Sequence, residues 1–109
     1  MTQTTESKIL NQISSNPVLL YMKGIPDAPE CGYSLQAVKA LQSTGSEFSY
    51  VNVLAAPFIR EKLPSVSNWP TFPQLFVNGE LVGGCDIILE MLKDGSLQSL
   101  LESAKATSE

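Results

Sequence analysis

Val18-Leu19-Leu20-Tyr21-Met22 runs directly into Lys23-Gly24-Ile25-Pro26-Asp27-Ala28-Pro29-Glu30-Cys31-Gly32-Tyr33-Ser34. The first five residues are a continuous apolar run, the pattern of a strand buried on both faces. The residues after them place a cysteine between that strand and a helix that begins at about Gly32, with Leu35, Val38 and Leu41 on one face. A thiol at a helix N-terminus meets unpaired N–H groups and the positive end of the dipole, so its thiolate is favoured. Ser34 stands where a two-cysteine redox motif carries its second thiol. The stretch therefore offers one reactive sulfur with no resolving thiol beside it.

Outward from this stretch, the pattern alternates helices with strands. Ile9, Leu10 and Ile13 recur at helical spacing over 5–15, and Asn16-Pro17 ends that helix. Gly45 stops the helix that follows Cys31, and Phe48–Val53 reads as a second strand. Pro57 suits the first turn of a short helix through Leu63, which Pro64 is expected to terminate. Gln74–Val77, Asn78-Gly79 and Glu80–Val82 spell a β-hairpin with a type I′ turn. Gly83-Gly84 closes its second strand, and Asp86 is placed to cap a helix through Leu92. Asp94-Gly95 breaks that helix, and Ser96 is placed to cap a last one to about residue 103. The order is αβαβαββαα, an α/β pattern whose first two strands run parallel by a right-handed crossover. The expected organisation is a single domain over 1–109, with an N-terminal helix at about 5–15, a core over about 17–104 and a frayed tail at Thr107-Ser108-Glu109.

Composition removes several functional classes. A length of 109 residues is enough to bury a core without disulfide staples. A net charge of −4 argues against nucleic acid or an anionic membrane as the main partner. No apolar run approaches the about 20 residues of a membrane span. The start, MTQTTESKILNQI, has neither the basic end nor the apolar stretch of a signal peptide. Two cysteines exclude a disulfide-rich secreted scaffold and favour the cytoplasm. Histidine is absent, which rules out Ser–His and Cys–His catalysis and His-ligated zinc. Two cysteines do not fill a four-ligand soft-metal site within one chain, so such a site recruits ligands from outside.

The Lys-Gly-x-Pro-x-x-Pro-x-Cys-Gly-Tyr-Ser run at 23–34, Trp69-Pro70-Thr71-Phe72-Pro73 and Gly83-Gly84-Cys85-Asp86, in this order and spacing, resemble the single-domain monothiol glutaredoxins. One departure is visible: Tyr33 stands where that family most often has Phe. The resemblance implies a thioredoxin fold with strand order 2-1-3-4 and strand 3 antiparallel to strand 1. Cys31, Pro73 and Gly84-Cys85-Asp86 then meet at one edge of the sheet, with Arg60 nearby, in a groove that the resemblance assigns to glutathione. It implies a cis Phe72-Pro73 bond that turns the Phe72 backbone toward an extended ligand, with Thr71 beside it. Lys23 and Arg60 suit the glycine carboxylate of glutathione. The N–H groups at Cys85 and Asp86 suit its γ-glutamyl carboxylate, and Asp86 its ammonium group. Gly83 and Gly84 admit that backbone closely.

Two functions follow for Cys31. In the first, Cys31 from each of two subunits and two glutathione thiolates bind a [2Fe–2S] cluster, since such a centre needs four ligands. The protein is then a glutathione-dependent homodimer when loaded, delivering the cluster to apo iron–sulfur client proteins. The resemblance adds mixed complexes with BolA-type proteins. In the second, Cys31 removes glutathione from protein mixed disulfides and a second glutathione resolves the product, a monothiol oxidoreductase activity that is weak in this subclass. For Cys85 two readings stand: a small residue at a tight strand–helix turn, or a regulatory disulfide partner of Cys31 or glutathione. Trp69 and Tyr33 are read as packing residues, with Trp69-Pro70 shaping the loop before Pro73.

Overall fold

Alternation along one strand divides the interior in two. In a computed structural model that describes residues 4–107, with side chains described through Ala104, Val18–Met22 forms β1 and all five of its residues are buried. Val18, Leu20 and Met22 face one apolar cluster, and Leu19 and Tyr21 face the other. That is the period of two a strand imposes on its side chains, here with both faces covered. The remaining elements are α1 (Thr5–Ser15), β2 (Gly24–Ile25), β3 (Ala28–Pro29), α2 (Gly32–Ser43), β4 (Ser49–Asn52), α3 (Pro57–Ser67), β5 (Gln74–Val77), β6 (Glu80–Gly83), α4 (Cys85–Asp94) and α5 (Ser96–Thr107).

The first cluster packs Ala37, Val38 and Leu41 of α2, Ile88 of α4 and Leu97, Leu101 and Ala104 of α5 on one side of the sheet. The second packs Ile9 and Ile13 of α1 with Ile59 and Leu63 of α3 on the other. Each buried Val, Leu or Ile among them contributes roughly 1.5–3 kcal/mol relative to exposure. Tyr21 is the polar exception inside β1. Its hydroxyl donates to Gln12 Oε1 at 2.8 Å, its ring meets Phe76 edge-on at 5.7 Å, and burial pushes its phenol far above the ordinary range.

The main sheet has the order β4-β1-β5-β6. β1 runs parallel to β4 and antiparallel to β5, and β5 is antiparallel to β6. This is the expected 2-1-3-4 order of a mixed four-stranded sheet flanked by helices. The turn between β5 and β6 carries positive φ at both Asn78 (52°) and Gly79 (82°), as a type I′ turn requires.

Several expectations change. α3 does not stop at Leu63 but continues to Ser67 with Pro64 inside it. Proline removes only the N–H that the Arg60 carbonyl would have taken, and buried Leu63 and partly buried Val66 hold the helix on either side. Its end is closed downstream, where Asn68 adopts φ 56° and the N–H groups of Asn68 and Trp69 both donate to the Pro64 carbonyl. The N-cap of α4 is Gly84, so Asp86 lies within the first turn instead of capping it. Ser96 is already helical; the Asp94 carboxylate accepts its N–H (2.8 Å) and its hydroxyl (2.6 Å). Leu10 and Leu35 are exposed, because the buried faces run through Ile9 and Ile13 and through Ser34, Ala37, Val38 and Leu41. α5 extends past residue 103 to Thr107, and the tail residues Ser108 and Glu109 lie outside the described residues.

The connection from β1 to α2 also has structure of its own. β2 and β3 pair antiparallel as a small hairpin, with Gly24 opposite Pro29. The Lys23 carbonyl accepts the Glu30 N–H at 3.0 Å, and Asn52 Oδ1 at the end of β4 accepts the Gly24 N–H at 2.9 Å. Gly24 has φ 94°, and a Cβ there would lie 2.7 Å from both the Ala28 oxygen and the Glu30 nitrogen. Gly24→Ala is therefore expected to lower stability by about 1–3 kcal/mol or more. Urea denaturation checks this, and an unchanged midpoint would contradict it.

Candidate functional site

Strand direction brings the chemistry together. β1 ends, β5 begins and β6 ends at the same edge of the sheet, as the pairing of Tyr21 with Gln74 and of Leu75 with Gly83 requires. Cys31, the Thr71–Pro73 segment and Gly84–Asp86 follow or precede those ends, so residues far apart in sequence share one edge.

Cys31 is the N-cap of α2, with extended backbone (φ −151°, ψ 135°) and no side-chain cap hydrogen bond. The Ser34 N–H, then the Tyr33 N–H, the Lys23 charge and the Ser34 hydroxyl all favour its thiolate, and together they outweigh slight burial. Its pKa falls below the ordinary thiol value. Ser34 is fully buried, and its Oγ accepts the Lys23 N–H at 3.0 Å. The hydroxyl thus ties the end of β1 to the first turn of α2, beneath the sulfur.

Cys85 also starts a helix, yet its pKa moves the other way. It is buried, and desolvation, then Asp86, then the charge of Cys31 raise it. Both thiols are free. The coupling to Cys31 means that a negative charge on one sulfur is felt at the other. Among the described residues no three His, Cys, Asp or Glu side chains gather to hold a metal ion.

Beside Cys31 lies a cleft of about 470 Å³. Tyr33 lines it from α2, Trp69, Thr71 and Phe72 from the loop before β5, and Gly84, Cys85, Asp86 and Ile87 from the start of α4. The Phe72–Pro73 peptide bond is cis, as expected, and Pro73 is buried behind the cleft wall. A Cβ on Gly84 would lie 3.2 Å from Trp69 Nε1 and 3.3 Å from the Pro73 oxygen. The missing side chain at 84 lets the indole and the loop close against the helix terminus. The Gly84 carbonyl accepts the Ile88 N–H at 3.0 Å. Gly84 itself supplies no side-chain cap, so the first-turn N–H groups of α4 are open to an anion.

Of the residues singled out by sequence, Thr71, Phe72, Gly84, Cys85 and Asp86 line this cleft. Cys31 and Lys23 stand beside it, with the Lys23 charge acting on the sulfur. Arg60 is exposed on α3 and is not part of the lining. Tyr33, Trp69 and Ile87 line the cleft as well, beyond the residues that the sequence motifs point to as ligand-binding. Tyr33, read as a packing residue, is 62% exposed and presents its ring to the cleft. The signal for Tyr33 and Trp69 was their place inside two of the motifs, whereas Ile87 reads only as a helical apolar residue.

The two cysteines should separate chemically. Alkylation by iodoacetamide is expected at Cys31 first, with a midpoint below the ordinary thiol pKa of about 8.5. Cys85 should react slowly until higher pH. Mass mapping of the labelled residues against pH reads this, and equal profiles for the two would contradict it.

No helix of the described residues is long and apolar enough to cross a membrane. The glutaredoxin family model matches residues 18–82, from β1 to the end of the second hairpin strand's apolar run. Glutaredoxin 4 of Escherichia coli (strain K12) is 57% identical over 94% of this chain and 90% of its own length. The solution structure of reduced apo GrxS14 from poplar shares 41% identity over 96% of each chain, with a TM-score of 0.81. A crystal structure of a buckwheat glutaredoxin–glutathione complex shares 25% identity over 94% of this chain and 91% of that one, also with a TM-score of 0.81. With Ser34 in place of a second thiol in the Cys31 stretch, these findings show that the chain belongs to the glutaredoxin family, as a monothiol member.

Proposed function

We propose that this chain carries [2Fe–2S] clusters as its cargo, with glutathione as co-ligand, and passes them to apo client proteins in the cytoplasm. The observation that carries the reading is the asymmetry of the two thiols. Cys31 is accessible, stands at a helix N-terminus and favours its thiolate, while Cys85 is buried with a raised pKa. Each chain therefore offers one thiolate, and no other described residues gather into a metal site. A cluster needing four ligands then takes Cys31 from two chains and the thiolates of two glutathione molecules. That donor set fits the sulfur preference of such clusters and makes the loaded form a homodimer. Because two of the four ligands are exchangeable small molecules, release to a client or to a mixed complex with a BolA-type protein is chemically accessible.

Glutathione binding is supported by the cleft and by the buckwheat relative, whose structure is a glutathione complex. In this reading the Phe72 backbone pairs with the extended tripeptide beside Thr71 and Pro73. The first-turn N–H groups at Cys85 and Asp86 receive the γ-glutamyl carboxylate, and the Asp86 carboxylate the neighbouring ammonium. Gly84 lets that end approach the backbone. Lys23 and Arg60 take the glycine carboxylate, Arg60 by reaching from α3.

Anaerobic reconstitution with iron, sulfide and glutathione tests the cluster reading. Native mass measurement should give two chains, one cluster and two glutathione molecules, with visible charge-transfer absorption. Cys31→Ser should give none, while Cys85→Ser should keep it. Absence of any cluster, with mixed disulfides reduced at ordinary glutaredoxin rates, would favour the oxidoreductase role instead. For the glutathione site, Asp86→Ala is expected to weaken binding roughly tenfold by calorimetry, the scale of one charge-assisted hydrogen bond. Asp86 is exposed, so stability should change by no more than about 1 kcal/mol. An unchanged affinity would remove Asp86 from the site.

A further inference from the structure

We propose that Gln74 is a positioning residue for the cleft, holding the Trp69–Phe72 loop where its backbone meets glutathione. Ser34 and Gln74 are the two buried polar residues among those described outside the apolar set, and both lie at the functional edge. Gln74 opens β5 opposite Tyr21 and is fully buried. Its Nε2 donates to the Trp69 carbonyl at 2.9 Å and to the Thr71 carbonyl at 3.1 Å. The reversed amide would set Oε1 against both carbonyl oxygens, so the two bonds fix its orientation. Apart from the Trp69 N–H to the Pro64 carbonyl, these are the hydrogen bonds that hold the loop from Trp69 to Phe72 among the described residues. Pro70 and Pro73 have no N–H with which to add others.

The same amide carries a cost that points away from a purely structural role. Gln74 Oε1 is buried with no hydrogen-bond partner, and so is Trp69 Nε1. A buried orphan acceptor is destabilising, so an apolar side chain of similar length removes that cost. It also takes the donor away from the Trp69 and Thr71 carbonyls, and the two effects oppose each other in stability. What that side chain cannot do is draw two consecutive stretches of the loop onto the start of β5. Thr71 and Phe72 line the cleft, and their backbone is the part of the loop that an extended peptide ligand would pair with. Gln74 is not among the residues lining the cleft, and acts through the carbonyls it holds.

This inference rests on the glutathione reading above, and one set of measurements separates the two. Glutathione titrations of the full chain are compared for wild type, Q74M and Q74E, with thermal denaturation and backbone amide spectra of each free protein. Q74M should bind about tenfold more weakly, the scale of one lost hydrogen bond's worth of order, while its Tm changes little, because relief of the orphan acceptor offsets loss of the two bonds. Q74E keeps the shape but turns an acceptor toward the two carbonyls, so it should bind more weakly still. In free Q74M the Thr71 and Phe72 amide resonances should move, and those of Asp86 and Ile87 should stay in place. Binding by Q74M within twofold of wild type, or a loss of affinity that only follows a fall in Tm, overturns the proposal. So does a Q74M chain that fails to fold, since the amide is then structural. If wild type binds no glutathione, the glutathione reading falls, and the Thr71 and Phe72 resonances still decide whether Gln74 positions the loop.

Discussion

Burial of β1 on both faces is the constraint from which the rest of the arrangement follows. A strand with Val18, Leu20 and Met22 in one cluster and Leu19 and Tyr21 in the other must lie inside the sheet, with helices on either side. Its two neighbours then run in opposite senses, β4 parallel and β5 antiparallel. The antiparallel hairpin partner β6 completes the pattern, and three chain segments are delivered to one edge. No single segment could make the cleft. The β1–α2 connection supplies the sulfur, the loop before β5 supplies an exposed backbone, and the start of α4 supplies open N–H groups.

At that edge two thiols stand at helix N-termini, and they show which electrostatic effect wins. Both feel a helix dipole, yet one pKa is lowered and the other raised. Position at a helix start is therefore not sufficient. At Cys31 the sulfur occupies the cap position itself, where the Ser34 and Tyr33 N–H groups favour its charged form more than desolvation opposes it. At Cys85 the residue is already inside the first turn, buried, and beside the Asp86 carboxylate and Cys31. One residue of displacement along the helix decides whether the backbone can serve as donor. The lowered pKa of Cys31 also ties folding to pH. Its ionisation stabilises the folded chain above the thiol's unfolded pKa, and that contribution is lost as pH falls through the folded value.

The elements that were legible in the sequence are those with a repeating or fixed-geometry signal. The five apolar residues of β1, the Asn78-Gly79 turn and the stops at Gly45 and Gly95 each leave little choice of conformation. So does the placement of Cys31 just before Gly32. The site residues became legible only through strand direction together with three separated motifs. What stayed hidden was decided by tertiary contact. Pro64 did not end α3, because Leu63 and Val66 are packed around it and Asn68 closes the helix beyond. Leu10 and Leu35 matched a helical spacing, but the faces that met the sheet were one residue round the helix. Gly84 took the cap of α4 from Asp86, at a tight approach to the loop where a Cβ would stand 3.2 Å from Trp69 Nε1. The β2–β3 hairpin is too short for any periodicity to announce.

The same edge explains where the protein tolerates polarity indoors. Elsewhere the two clusters are apolar, with the Tyr21 hydroxyl satisfied by Gln12. Ser34 and Gln74 are different: each is fully buried, and each uses its side chain to hold a piece of backbone that no regular element holds. Ser34 receives the Lys23 N–H just after β1 ends, and Gln74 gives two N–H bonds to carbonyls just before β5 begins. A strand end is where the ladder of backbone bonds runs out, so its flanking residues need partners from somewhere else. At a surface loop water would serve. Here the loop before β5 closes against Gly84 at the start of α4, and Ser34 and Gln74 are fully buried, so these side chains serve instead and fix the loops in place. A site assembled from three strand ends can keep one geometry only if the ends themselves are tied. These two side chains tie two of them, and the contact of Gly84 with Trp69 and Pro73 closes the third.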